Sequence, residues 1–179
     1  MKKLVFAFFT VVLISGIGGF FFFGLGPLSS SFPKKPEDTA PQILDFSFHD
    51  YFDKVLTPRD FQEKPLLITT WASWCSFCGR ALLDFTALQN EFGDRITIIA
   101  VNRGEDPAKA KSFSSAFASG TPPILFALDP SDSFYKKING FSLPETLFID
   151  KKGKIQAHRR GLMDREELRR RINDLLATP

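Results

Sequence analysis

An α/β domain with a central mixed β-sheet flanked by helices is predicted by three features of this 179-residue chain. Short apolar runs alternate with stretches of helical period, the pattern of strands separated by helices packed on the sheet. The only two cysteines, Cys75 and Cys78, fall between one such run and the helical stretch after it. The chain ends in two short runs joined by Lys151-Lys152-Gly153-Lys154, a hairpin signal, followed by a last helix.

The folded unit is expected from about Gln42, with a first extended segment over residues 43–52. Leu66-Leu67-Ile68-Thr69-Thr70-Trp71 is apolar and β-branched, and reads as a buried strand. From Cys78 the residues Ala81, Phe85, Leu88 and Phe92 recur on one helical face, which carries the helix to about Phe92. Residues 96–101 form a second buried strand. Asp106-Pro107 joins a capping side chain to proline at the first helical position, opening a helix that reaches about Ser119. Residues 124–128 read as a strand, 129–138 as holding a short helix, and 146–149 with 155–159 as the hairpin. Asp164 and Glu167 resemble a capping box, and Leu168, Ile172 and Leu175 supply the stripe of the final helix. Its arginines, Arg165, Arg169, Arg170 and Arg171, interleave with Glu166, Glu167 and Asp174 and read as a solvated face.

The N-terminus has a different composition. After Lys2 and Lys3, residues 4–28 carry no charge and include Phe20-Phe21-Phe22-Phe23, a length that meets the ~20 apolar residues needed to span a bilayer. A secretory core is shorter and ends in small residues of the Ala-x-Ala kind, and no such site is evident. Residues 1–28 are therefore read as an uncleaved N-terminal transmembrane helix, with a signal peptide cleaved near Ser29-Ser30-Ser31 as the alternative. Lys2 and Lys3 favour the cytoplasmic side, so in a bacterium the remainder faces the periplasm or cell exterior from the inner membrane. Residues 29–41, rich in Ser, Pro and charge, read as a linker and residues 42–179 as the domain. The net charge of +3 owes much to the two ends of the chain and gives a nucleic-acid partner little support.

A dithiol of this spacing between strand and helix is the machinery of thiol–disulfide exchange. Cys75, read at the helix start, meets free N–H groups and the positive end of the helix dipole, which lower a thiol pKa. Cys78 lies about one turn on, on the apolar side, where it is shielded and placed to attack a mixed disulfide at Cys75. Cys75 is thus the expected nucleophile and Cys78 the resolving thiol, a chemistry that needs no cofactor. A zinc half-site is the bland alternative, but zinc takes about four ligands and only His49 and His158 could join the cysteines. A copper-binding chaperone using both sulfurs stays open; such a site often recruits a Met or His, and the available Met163 and His158 match no recognised ligand spacing.

In Trp71-Ala72-Ser73-Trp74-Cys75-Ser76-Phe77-Cys78, in Ile98-Ile99-Ala100-Val101-Asn102, and in the segment from Gly140 through Pro144-Glu145-Thr146 to Gly153, the chain resembles the thioredoxin superfamily. The resemblance runs from about Ala40 to the C-terminus. Within the superfamily it is similar to the membrane-anchored, outward-facing reductases of the TlpA/DsbE type, several of which serve cytochrome c maturation. The Pro-Glu-Thr variant resembles that branch. A thioredoxin-like fold is implied, with a cis Leu143–Pro144 bond packed against the dithiol and a backbone edge beside Cys75 for an extended client. The resemblance also implies a tethered thiol:disulfide oxidoreductase that reduces client proteins such as apocytochrome c or a copper-carrying partner. A membrane electron donor would re-reduce it. Net thiol oxidation is the alternative direction, because Ser76-Phe77 does not set the potential.

Two departures stand out. Thioredoxins proper carry a buried Asp where this chain has Thr69, and many outward-facing reductases carry Glu where it has Ala81. Glu145 and Arg80 remain as polar groups able to tune the dithiol, although Glu145 is equally readable as an exposed turn residue. Trp74 is expected over the site and Phe77 exposed beside it, both as apolar surface for a partner. Trp71 reads as core, Asp84 as solvated and off the dithiol face, and His158 as structural.

Overall fold

The computed structural model describes residues 45–61, 63–118 and 123–178. Seven strands among them form one sheet: β1 (Phe48–Asp50), β2 (Val55–Leu56), β3 (Leu66–Trp71), β4 (Thr97–Arg103), β5 (Leu125–Asp129), β6 (Glu145–Ile149) and β7 (Ile155–Arg160). Their order is β2-β1-β5-β4-β3-β6-β7. β3, β4 and β5 run parallel, while β1, β6 and β7 pair antiparallel with their neighbours, which is the expected mixed sheet. The helices are α1 (Cys78–Phe92), α2 (Pro107–Ser114), α3 (Ser133–Lys137) and α4 (Arg165–Ala177).

Every residue of β3 is buried, as a central strand covered on both faces requires. Alternation along the strands then separates two cores. Leu67, Trp71, Ile98 and Phe148 face α1 and α4. Leu66, Ile68, Ile99 and Leu147 face the other way, against Phe134, Tyr135 and Ile138 in and just after α3.

Local chemistry accounts for the helix ends. Asp106 caps α2 by accepting from the N–H groups of Ala108 and Lys109, with Pro107 in the first turn. The expected run to Ser119 stops early, because α2 tightens into a 3-10 turn over Ser115–Phe117. Asp164 caps α4 by accepting from Glu167 N at 2.7 Å. In α1 the residues Ala81, Phe85, Leu88 and Phe92 are buried as the period demands. That helix begins at Cys78 after an uncapped Phe77, so Cys75 sits in the preceding turn and not at the first helical position. β2 and the 3-10 turn Pro58–Phe61 carried no sequence signal.

Two surface expectations are corrected. Asp84 is only 1% exposed, because α4 packs across α1 and brings Arg165 Nη2 to 2.6 Å from its carboxylate. The arginines of α4 are likewise partly a seam between helices, with Arg169 on Glu91 of α1 at 2.7 Å. Neither contact is visible in the period of one helix. The anchor expected over residues 1–28 and the linker over 29–41 lie outside the described residues. Among those described, no helix is long and apolar enough to cross a membrane.

Candidate functional site

At the end of β3 the chain makes two successive turns. Cys75 N donates to Ala72 O and Cys78 N to Cys75 O, each at 3.2 Å. Cys75 and Cys78 are joined as a disulfide, with Cys75 half-buried and Cys78 inaccessible. The disulfide bonds the Cys75 sulfur to the first residue of α1, so it still meets the helix N-terminus although its backbone lies outside the helix. On reduction, a thiolate there faces the positive end of the dipole.

A second loop completes the site. The Leu143–Pro144 peptide bond is cis. Trp74, Cys75, Ser76, Phe77, Ser142 and Leu143 share one groove of about 300 Å³, so it gathers most of the residues singled out from the sequence. Pro144 is buried behind it, and its carbonyl accepts from Gly161 N at 2.8 Å. Trp74, Phe77 and Phe141 stand exposed on the rim, whereas Trp71 is core.

Three groups brace the second loop. Tyr135 of α3 donates its hydroxyl to Ser142 O at 2.8 Å, and the Arg103 guanidinium, itself paired with Asp132, lies 3.9 Å over its ring. Glu145 is fully buried on β6, which rules out the exposed turn. One of its oxygens accepts from Phe141 N and Ser142 N, both at 2.8 Å. The other lies 2.9 Å from His158 Nε2. Burial would push the Glu145 carboxyl up, but the bonds from His158 and the two backbone N–H groups outweigh it and hold it below the usual range.

The positions of the missing acids are filled without charge. Thr69 Oγ1 is 3.2 Å from the Thr146 hydroxyl, and Ala81 is core. Arg80 turns away to Asp84 at 2.9 Å. Met163 is packed in the core and His158 Nε2 is held by Glu145, and neither residue lines the groove on which Cys75 opens.

Sequence reasoning missed Glu105, in the loop between β4 and α2. Its carboxylate accepts from Ser73 N and Ser73 Oγ, each at 2.6 Å, and from Asn102 Nδ2 at 2.7 Å. Lys109 Nζ lies 3.1 Å away. Burial raises its pKa, but Ser73, Asn102 and Lys109 together bring it down to about 2. Nothing in the sequence separates this acid from a solvated loop residue. Arg103 and Tyr135 were missed for the same reason, since only the fold brings them to the groove.

Residues 35–176 match the family described as Redoxin. The chain is 30% identical over 135 residues to the thioredoxin-like protein YneN of Bacillus subtilis, covering 74% of this chain and 77% of that one. It is 26% identical over 138 residues to the thiol-disulfide oxidoreductase ResA of Geobacillus thermodenitrificans, covering 76% of each. Its fold is similar to a secreted Mycobacterium tuberculosis disulfide oxidoreductase homologous to E. coli DsbE, with a TM-score of 0.67 at 19% identity over 76% of this chain and 100% of that one.

Proposed function

The chain belongs to the redoxin family and is a thiol:disulfide oxidoreductase, and from that premise we propose that it is a membrane-tethered reductant of disulfides in extracytoplasmic client proteins. The observation that carries this reading is the asymmetry of the dithiol: Cys75 opens on a groove rimmed by exposed aromatics and Cys78 is sealed beneath it.

The Cys75 thiolate attacks one sulfur of a client disulfide, forming a mixed disulfide and releasing the client's other sulfur as a thiolate. Cys78 then gives up its proton and attacks the Cys75 sulfur. The Cys75–Cys78 disulfide forms, the second client thiolate leaves, and two electrons have passed to the client. The client segment lies along Ser142 and Leu143, with Trp74 and Phe77 as its apolar contacts. Pro144 and Glu145 hold that wall. Apocytochrome c is the client class supported by the resemblance of Pro144-Glu145-Thr146. A membrane electron donor returns the dithiol to its reduced form.

The reductive direction rests on the resemblance to the outward-facing reductases, since Glu105 and Glu145, which brace the loops on the two sides of the dithiol, are themselves paired with Lys109 and His158. The reduction potential of the full-length protein in a dithiothreitol or glutathione buffer tests this. A value near −270 mV is expected, roughly that of thioredoxin, while one near −120 mV, roughly that of a strong oxidant, would reverse the direction. The tether rests on the uncharged residues 4–28, and it predicts that the protein stays with membranes through high-salt and alkaline washing. Soluble protein beginning near Ser29 would show a cleaved signal instead.

A further inference from the structure

We propose that Glu105 is a positioning residue for the dithiol, holding through Ser73 the turn that carries the Cys75 sulfur to the groove. The proposal rests on the reading that Cys75 is the attacking thiol. The turn needs an anchor. Between buried Ala72 and buried Cys78, the residues Trp74, Ser76 and Phe77 are exposed and Ser73 and Cys75 half-buried, so little packing fixes it. Its own closing bond, Cys75 N to Ala72 O, is 3.2 Å long.

Glu105 supplies what packing does not. One oxygen takes the Ser73 N–H and the other the Ser73 hydroxyl, each at 2.6 Å, so backbone and side chain of the same turn residue are both fixed. Charge-assisted bonds of this kind are roughly twice as strong as neutral ones. The carboxylate is itself fixed from behind by Asn102 at the end of β4 and by Lys109 of α2. The dithiol turn is thereby tied to the β4–α2 connection, with Trp74 exposed and Cys75 half-buried on a held base.

The test uses the full-length protein in a Cys78→Ser background, where Cys75 is the single thiol. Two rates are measured per folded molecule: alkylation by iodoacetamide well above the thiol pKa, and exchange with a disulfide-bonded peptide. Glu105→Ala should leave alkylation within about twofold and slow exchange about tenfold or more, because misplacing a reacting group by about 1 Å can cost as much as 100-fold. Glu105→Gln keeps an oxygen acceptor for Ser73 N and should recover most of the exchange rate. Ser73→Ala should slow exchange, and adding it to Glu105→Ala should slow it no further, since both act through one contact. A structural role would lower stability without this rescue or this non-additivity. Equal exchange rates in the parent and Glu105→Ala would overturn the role of Glu105 alone, and so would additive losses. A Cys75 thiol inert to iodoacetamide in the parent would overturn the nucleophile assignment and the proposal with it.

Discussion

Two buried carboxylates, Glu105 and Glu145, do at this site what no acidic motif in the sequence announces. Each is charged because its hydrogen bonds outweigh the cost of burial, and each spends that charge on the backbone of a loop touching the groove. This makes stability depend on pH with a definite sign. A carboxyl whose folded pKa is depressed adds stability that is present above its ordinary value, 4.5 here, and lost as pH falls towards the folded value. For Glu105 that value is about 2, so the contribution is on the order of 3 kcal/mol at neutral pH and disappears between about pH 5 and 2. Urea unfolding should therefore show Glu105→Gln less stable than the parent at pH 7 and nearly level with it at pH 2. Glu145→Gln should narrow its deficit in the same direction. Parallel stability curves from pH 7 to 2 would contradict the ionised state assigned to these groups.

At the scale of elements, the groove is built where the ends of β3, β4 and β6 meet α1 and α3, and the fit between α3 and the loop before β6 controls it. Gly140 lies directly against the Tyr135 ring, where a β-carbon would stand 2.6 Å from Cζ. Tyr135 in turn holds Ser142 through its hydroxyl. Gly140→Ala should thus cost about 2 kcal/mol through overpacking and displace the loop that carries Leu143. In a Tyr135→Ala background the same change should cost far less, a coupling that a double-mutant unfolding cycle reads directly. Equal costs in both backgrounds would place the constraint elsewhere. The seam between α1 and α4 belongs to this scale too: Asp84 is buried by Arg165 of a helix 81 residues away in sequence.

Across the whole molecule, what the sequence revealed followed from local chemistry. The unbroken run Leu66–Trp71, the stripe Ala81, Phe85, Leu88 and Phe92, and the caps Asp106 and Asp164 each encode their own element, and the strand–dithiol–helix order encodes the site. What stayed hidden depends on contacts between distant segments. Asp84 looked solvated because α4 was not yet packed on it. Glu145 was readable as a turn residue until β7 brought His158 to its carboxylate. Glu105 had no signal at all, since its partner Ser73 lies 32 residues earlier. Because α1 starts at Cys78, the Cys75 sulfur reaches the helix N-terminus through its bond to Cys78 and not through its own backbone. The proposed exchange depends on a division of labour between the sulfurs, a half-buried Cys75 opening on the groove as the attacking thiol and a sealed Cys78 as the resolving one. It is tested most directly by exposing full-length Cys78→Ser and Cys75→Ser proteins to disulfide-bonded clients and quantifying mixed disulfides on non-reducing gels. Cys78→Ser should accumulate adducts through Cys75 while Cys75→Ser accumulates few. Equal accumulation in the two variants, or adducts mainly in Cys75→Ser, would contradict it.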